Sequence, residues 1–284
     1  MTSCISILTP LHPAQEEIFY DQIKDVESPH CNVGGYTVLR GHLDNEKFKA
    51  AISSAFEVFD VLRLKIILTN EKPYCEFLSD AIDTTINELD FSSDKNPSES
   101  AVEWMQERFG KTFNLAADAL YEQALLKIAA DEYWWYGRFH HLILDGHGFA
   151  IYTKYIADKY TSLVTGTVEN SKFQYPQYSK EVFKAAGYPG SESYERDKLY
   201  WMEQFREVPK PLLKPRYCGD NLIEKQSGTI VINISDSQRK LLKDLSAKTN
   251  SSLQQLTLAA IAIYFGRTEN RSDLVFGIPI HNRR

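Results

Sequence analysis

The stretch Tyr133-Trp134-Trp135-Tyr136-Gly137-Arg138-Phe139-His140-His141-Leu142-Ile143-Leu144-Asp145-Gly146 carries two periodicities, and the switch between them sets the architecture. Its first nine residues read as a strand rich in aromatics, and Gln123 to Ile128 read as another, with the polar turn Ala130-Asp131-Glu132 between them. Together they predict a hairpin. After Asp145-Gly146 the apolar residues fall at helical spacing: Phe149, Tyr152, Ile156, Tyr160 and Leu163 share one face until Gly166 ends the helix. His140 and His141 therefore sit at a strand end, just before a loop and a helix N-terminus.

On the N-terminal side, Leu11 to Gln22 opens a short helix with Pro13 in its first turn, where a missing N–H costs nothing. Tyr36 to Gly41 alternates like a strand, and Asp44 caps a helix carrying Phe48, Ala51, Ile52 and Ala55 on one face. Strands are predicted over Val61–Leu68, Tyr74–Leu78 and Thr84–Leu89, then a helix over Ser98–Phe109. Alternating helices and strands imply an α/β sandwich rather than a bundle.

On the C-terminal side, the polar stretch from Thr167 to Gly190, punctuated by Gly and Pro, reads as a boundary. A helix over Ser193–Phe205 and the connector Val208-Pro209-Lys210-Pro211-Leu212-Leu213-Lys214-Pro215 follow. A second series then begins: strand Thr229–Ile234, helix Ser237–Ala247, helix Leu253–Phe265 and strand Leu274–Ile280, with Ser251 and Gln254 as a capping-box pair. The expected organisation is a lobe over residues 1–175, an interlobe helix and linker over 176–227, and the opening of a second lobe over 228–284 that stops short of closure.

Composition narrows the partners. The 284 residues are 43% hydrophobic and 25% charged, with a net charge of -6 spread through the chain. No basic stripe of the kind that neutralises a phosphate backbone is present, so nucleic acid is excluded as the expected partner. The N-terminus has no basic segment ahead of an apolar run, and no apolar run is long enough to span a bilayer, so a soluble cytoplasmic protein without membrane contact is expected. Cys4, Cys31, Cys75 and Cys218 lie far apart without CxxC spacing, which favours reduced, packed thiols over disulfides or a structural zinc site.

Strand alternation forces His140 and His141 to opposite faces. Trp135, Gly137 and Phe139 share parity with His141, and Trp134, Tyr136 and Arg138 share it with His140; both faces are aromatic enough to be buried. A neutral imidazole near working pH suits proton removal from an amine or alcohol. Two other readings stand beside that one: packed, hydrogen-bonded core histidines, and a metal site drawn from His140, His141, Asp145 and His147, which opposite-facing neighbours make awkward. Asp145 in an apolar setting needs a cation or several hydrogen bonds, and Gly146 opens the helix entrance so that backbone N–H groups can approach an oxyanion. No GxGxxG or GxxxxGK[ST] loop is present, and no cofactor bound by the chain is expected.

The run His140-His141-Leu142-Ile143-Leu144-Asp145-Gly146 resembles the HHxxxDG signature of nonribosomal peptide synthetase condensation domains and their chloramphenicol acetyltransferase-like relatives. Leu11 to Gln15 resembles the family's opening L-[ST]-x-A-Q motif. Phe59-Asp60-Val61-Leu62-Arg63 is similar to H-[ED]-x-L-R, with Phe59 in place of the usual histidine. Tyr200-Trp201 matches a YW pair in the helix between the lobes, and Gly277 to Arg283 is similar to G-x-P-x-x-x-R.

The resemblance implies two chloramphenicol acetyltransferase-like sandwich lobes, the first complete here and the second partial. It implies His141 as the active-site histidine, His140 as structural, and Gly146 beside the substrate thioester. Asp145 becomes a structural carboxylate paired with an arginine, Arg283 first and Arg63 second. The implied reaction is amide-bond formation between a donor acyl thioester and an acceptor aminoacyl thioester. Both substrates ride on the 4'-phosphopantetheine arms of carrier proteins, with an adenylation domain downstream. Tyr133 to Tyr136 and Asp145 to Phe149 look more like domains that open a synthetase chain. Met1 lies close to the first motif, so a donor arriving in trans is expected. The alternatives are a free-standing CoA-dependent acyltransferase and a noncatalytic carrier-docking domain.

Overall fold

A computed structural model describes residues 8–80, 83–167, 175–212 and 230–278. In chain order the elements are β1 (Thr9–Pro10), α1 (Pro13–Lys24), β2 (Asn32–Arg40), α2 (Asn45–Val58), a 3-10 turn (Asp60–Arg63), β3 (Leu64–Thr69) and β4 (Lys72–Phe77). They continue as β5 (Ile86–Asp90), α3 (Pro97–Phe109), β6 (Tyr121–Ala129), β7 (Glu132–His140), α4 (Gly146–Thr165), α5 (Tyr178–Ala186), α6 (Glu192–Gln204), α7 (Asp236–Thr249) and α8 (Leu253–Thr268). The chain divides into two compact units, Met1–Asp197 and Lys198–Arg284.

The predicted hairpin is the centre of the first unit: β6 and β7 pair antiparallel in a four-stranded sheet of order β2-β7-β6-β5, with β5 parallel to β6. Both faces of β7 are buried, as its composition implied. Trp135 and Phe139 join Ala51, Ile52 and Ala55 of α2 and Tyr152 and Ile156 of α4 in the larger core. Trp134 and Tyr136 pack with Ala101 and Met105 of α3 on the opposite face. Burying each large side chain contributes on the order of 2 kcal/mol, so helices on both faces hold the strand that ends at His140.

The edge strand β2 can lie this close only because of glycine. Gly35 stands opposite Gly137, and Gly34 has φ +143°, a conformation that L side chains rarely adopt. A Cβ on Gly34 would lie 2.0 Å from the carbonyl oxygen of Gly137. The smaller sheet, β1-β4-β3, closes the other end of the larger core through Leu64, Ile66 and Cys75.

Local signals were realised where caps are local. Asp44 accepts from the Lys47 N–H at 3.1 Å to start α2, and Gly166 ends α4 at φ +67°. Two corrections come from the first unit. Val61 to Arg63, expected as strand, form the 3-10 turn, and the strand starts at Leu64. Within the expected boundary stretch, Tyr178–Ala186 is the helix α5. Its cap comes from far away: Asp60 accepts from the N–H groups of Tyr178 and Ser179 at 2.7 and 3.0 Å.

In the second unit α7 and α8 form as expected, but the capping box is Ser252 with Gln255, one residue beyond the predicted pair. Ser235 and Gln238 make another at the start of α7. Of the two predicted strands, the described parts, 230–234 and 274–278, adopt no strand pairing. Ile230, Val231 and Ile232 are largely exposed.

Candidate functional site

The end of β7 is fixed by α1. His140 is buried, and its Nδ1 accepts from the Leu142 N–H at 3.1 Å. The proton must then sit on Nε2, which donates to Gln22 Oε1 at 3.2 Å. Gln22 turns that oxygen toward His140 because its own amide NH₂ donates to the carbonyls of Asp25 and Ser28, at 2.9 and 3.0 Å. Burial, then the charges of His141 and His30, push the His140 imidazole down to about 4. His140 is buried and neutral, with both ring nitrogens hydrogen-bonded.

Helix α1 grips the same loop a second time, through Gln15, whose Nε2 donates to the Leu142 carbonyl at 2.8 Å. Its Oε1 accepts from the N–H of His12, the residue that caps the helix. Gln22 was not singled out from the sequence, and Gln15 entered only as the last residue of the opening motif. Their spacing of seven, two turns on one face, is the signal that would have found them.

His141 is exposed, and its ring is held rather than free. Its backbone N–H donates to the Cys31 carbonyl at 2.8 Å, and its Nδ1 lies 3.0 Å from the Leu144 carbonyl. A carbonyl can only accept, so Nδ1 carries the proton and Nε2 keeps its lone pair. The side chain borders an open cleft of about 790 Å³, walled by α1 through Pro13, Glu16, Glu17 and Tyr20 and reaching His30 and Cys31. Chemically this is a positioned base with a fixed tautomer, able to take a proton from a nucleophile.

Asp145 is the N-cap of α4 and accepts from the Gly148 N–H at 2.7 Å. A Cβ on Gly148 would lie 3.1 Å from Asp145 Oδ1 and 3.2 Å from Leu144, so glycine here lets the cap close. A Cβ on Gly146 would meet nothing within 4 Å. Packing does not demand glycine there, and the space beside the helix entrance is open. His147 lies exposed in the first turn of α4.

Arg63 is directed to backbone. Its Nε donates to the Leu78 carbonyl at 3.1 Å and its Nη1 to the carbonyls of Phe56 and Glu57, closing the C-terminus of α2. Phe59 beside it packs edge-on against Tyr152, Tyr155 and Tyr175 at centroid separations of 6.0, 5.4 and 5.2 Å. The 59–63 segment is thus a structural joint between α2, α4 and α5. Arg283 lies outside the described residues, as does the Pro279–Arg283 part of its motif. Among the described residues no helix is long and apolar enough to cross a membrane.

Comparison with known proteins gives the family. The condensation domain family model matches residues 7–284. The dimodular nonribosomal peptide synthase of Bacillus subtilis (strain 168) is 25% identical over 274 residues, 95% of this chain and 11% of that protein. Enterobactin synthase component F of Escherichia coli (strain K12) is 26% identical over 279 residues, 96% of this chain and 21% of that protein. The crystal structure of the starter condensation domain of rhizomide synthetase superposes with a TM-score of 0.79 at 26% identity, covering 98% of this chain and 62% of that one. The chain spans 11% and 21% of those two curated relatives. It belongs to the condensation domain family.

Proposed function

We propose that the protein containing this chain forms an amide bond by acyl transfer, with His141 at the reacting centre. The supporting observation is the hydrogen bond of His141: Nδ1–H bound to the Leu144 carbonyl leaves the lone pair on Nε2, and the residue is exposed beside the cleft. The acceptor amine attacks the donor thioester carbonyl carbon, the C–N bond forms, the C–S bond breaks, and the leaving thiolate takes up a proton. Nε2 removes the proton the amine must lose or orients the amine for attack. Gly146 leaves room for backbone N–H groups near the developing oxyanion. Asp145, capping α4, is a structural carboxylate whose cationic partner we assign to Arg283.

In this reading, residues 1–175 are the first lobe, 176–227 the interlobe helix and linker, and 228–284 the opening of the second lobe. The donor and acceptor are thioesters on 4'-phosphopantetheine arms of carrier proteins. An adenylation domain lies downstream in the synthetase, and the protein works in the cytoplasm. Likeness to a starter condensation domain and the Tyr133–Tyr136 sequence support a reaction at the start of a synthetase chain.

A second reading concerns the donor alone. The starter domain of rhizomide synthetase has been crystallised with C8-CoA and Leu-SNAC, which favours an acyl-CoA donor in place of a donor carrier. Both readings are tested with the complete protein and an aminoacyl-loaded acceptor carrier, offered an acyl-carrier donor or an acyl-CoA. Amide product with either donor, reduced at least about 100-fold by His141→Ala, is expected. Unchanged turnover in that variant removes His141 from the reaction.

A further inference from the structure

Beside His141, at the turn from α1 into β2, a carboxylate, an imidazole and a thiol converge. One ligand atom each from Asp21, His30 and Cys31 lies within 4.8 Å of the others. We propose that these three residues bind a borderline-soft divalent cation of the zinc class in the cleft that His141 shares.

The ligand set fits that class. A thiolate and an imidazole select zinc-like ions over magnesium or calcium, and a carboxylate is a common third ligand. Three protein ligands leave a tetrahedral ion one position open to the cleft. The scaffold is built before any ion arrives. Asp21 belongs to α1 next to Gln22, whose amide fixes the turn carbonyls of Asp25 and Ser28. Cys31 is pinned on the other side, its carbonyl bonded to the His141 N–H and the following Asn32 N–H bonded to the Pro29 carbonyl at 2.9 Å. His30 Nε2 already lies 3.1 Å from Asp21 Oδ2.

Electrostatics favours a cation. Glu16, Glu17 and Asp21 line the cleft against the single cation of Lys24, which lies 3.6 Å from Asp21 Oδ1 and would be displaced from it. A bound divalent ion takes Cys31 as the thiolate. Cys31 and Asp21 stand ten positions apart in no familiar metal spacing, so only the return of β2 past α1 brings them together.

The test uses the whole chain, treated with a chelator and kept under a non-thiol reductant, with Co²⁺ as the probe and Zn²⁺ as its competitor. One equivalent of Co²⁺ should produce a thiolate-to-cobalt charge-transfer band that Zn²⁺ removes and that Cys31→Ser lacks. By calorimetry, His30→Ala and Asp21→Asn should each weaken Zn²⁺ binding at least about tenfold, with far-ultraviolet circular dichroism unchanged. Absence of the band, or its persistence in Cys31→Ser, overturns the site. Should Cys31→Ser fail to fold, the two exposed variants decide: unaltered Zn²⁺ affinity in both also overturns it.

Discussion

His140 Nε2 donates to Gln22 Oε1 across 3.2 Å, joining residues 118 apart in sequence and locking the last turn of the central strand to the first helix. The bond requires the imidazole to be neutral, with Nδ1 accepting from Leu142 and Nε2 donating. A charged ring would have to donate from both nitrogens, one of them toward a backbone N–H.

Stability should therefore fall in acid through this one ring. Its folded pKa, near 4, lies below the unfolded value of 6.5, so the unfolded chain binds the extra proton first. Stability is complete above pH 6.5 and declines as pH drops toward 4, by about 3 kcal/mol from this group. Urea unfolding at pH 7 and pH 5 should show the loss in the native protein and a smaller one in His140→Asn.

Asp60→Ala should cost about 1 to 3 kcal/mol, because the Tyr178 and Ser179 N–H groups lose their acceptors at the start of α5. Limited proteolysis should then open the chain around Tyr178–Ala186 before the sheet unfolds. Equal protease resistance in the variant would show that α5 does not depend on this cap.

The two glycines flanking His147 should separate packing from chemistry. Gly146→Ala enters open space and should leave the unfolding midpoint within about 0.5 kcal/mol, while slowing amide formation in the complete protein by crowding the helix entrance. Gly148→Ala presses on Asp145 Oδ1 and Leu144 and should lower stability as well. Equal activity of Gly146→Ala and the native protein would remove Gly146 from the site.

Arg138 lies under the sheet with Glu122 at 2.9 Å and Phe113 below its guanidinium at 4.2 Å, and both charged side chains are nearly inaccessible. Burial lowers the Arg138 pKa from its ordinary value, yet the ion pair keeps it charged. Glu122→Gln should cost roughly 3 kcal/mol by stranding that charge. Thermal unfolding of the variant checks it, and Glu122→Gln with Arg138→Met should recover part of the loss.

The legible parts of this fold were those written locally. The β6–β7 hairpin, the α4 face and its stop at Gly166, and the Asp44 cap all follow from neighbours in sequence. Helix α5 was obscured because it is short, flanked by Pro176 and Gly187, and capped by Asp60 from 118 positions away. The capping box at α8 slipped by one because Ser251-Ser252 and Gln254-Gln255 offer the same S-x-x-Q pattern in two registers. Strand patterns at 230–234 and 274–278 describe a surface suited to a ladder and cannot supply the partner.

At the site, alternation sent His140 and His141 to opposite faces; the strand ends at His140, which is sealed, and His141 follows in the turn, where it is exposed. What alternation could not deliver was the tautomer of either ring, which depends on carbonyls and amides brought in by folding. Gln15 and Gln22 carry no charge and no reactive group, so their spacing of seven could suggest a shared buried face but not that Gln22 would set the His140 ring and Gln15 the Leu142 carbonyl.

The buried side of α1 holds the histidine loop through Gln15 and Gln22, whereas Glu16, Glu17 and Tyr20 face the cleft. One helix thus keeps its mechanical duty and its solvent-facing wall on different sides. The outward positions can be rewritten, by selection or by engineering, without loosening the loop that carries His141.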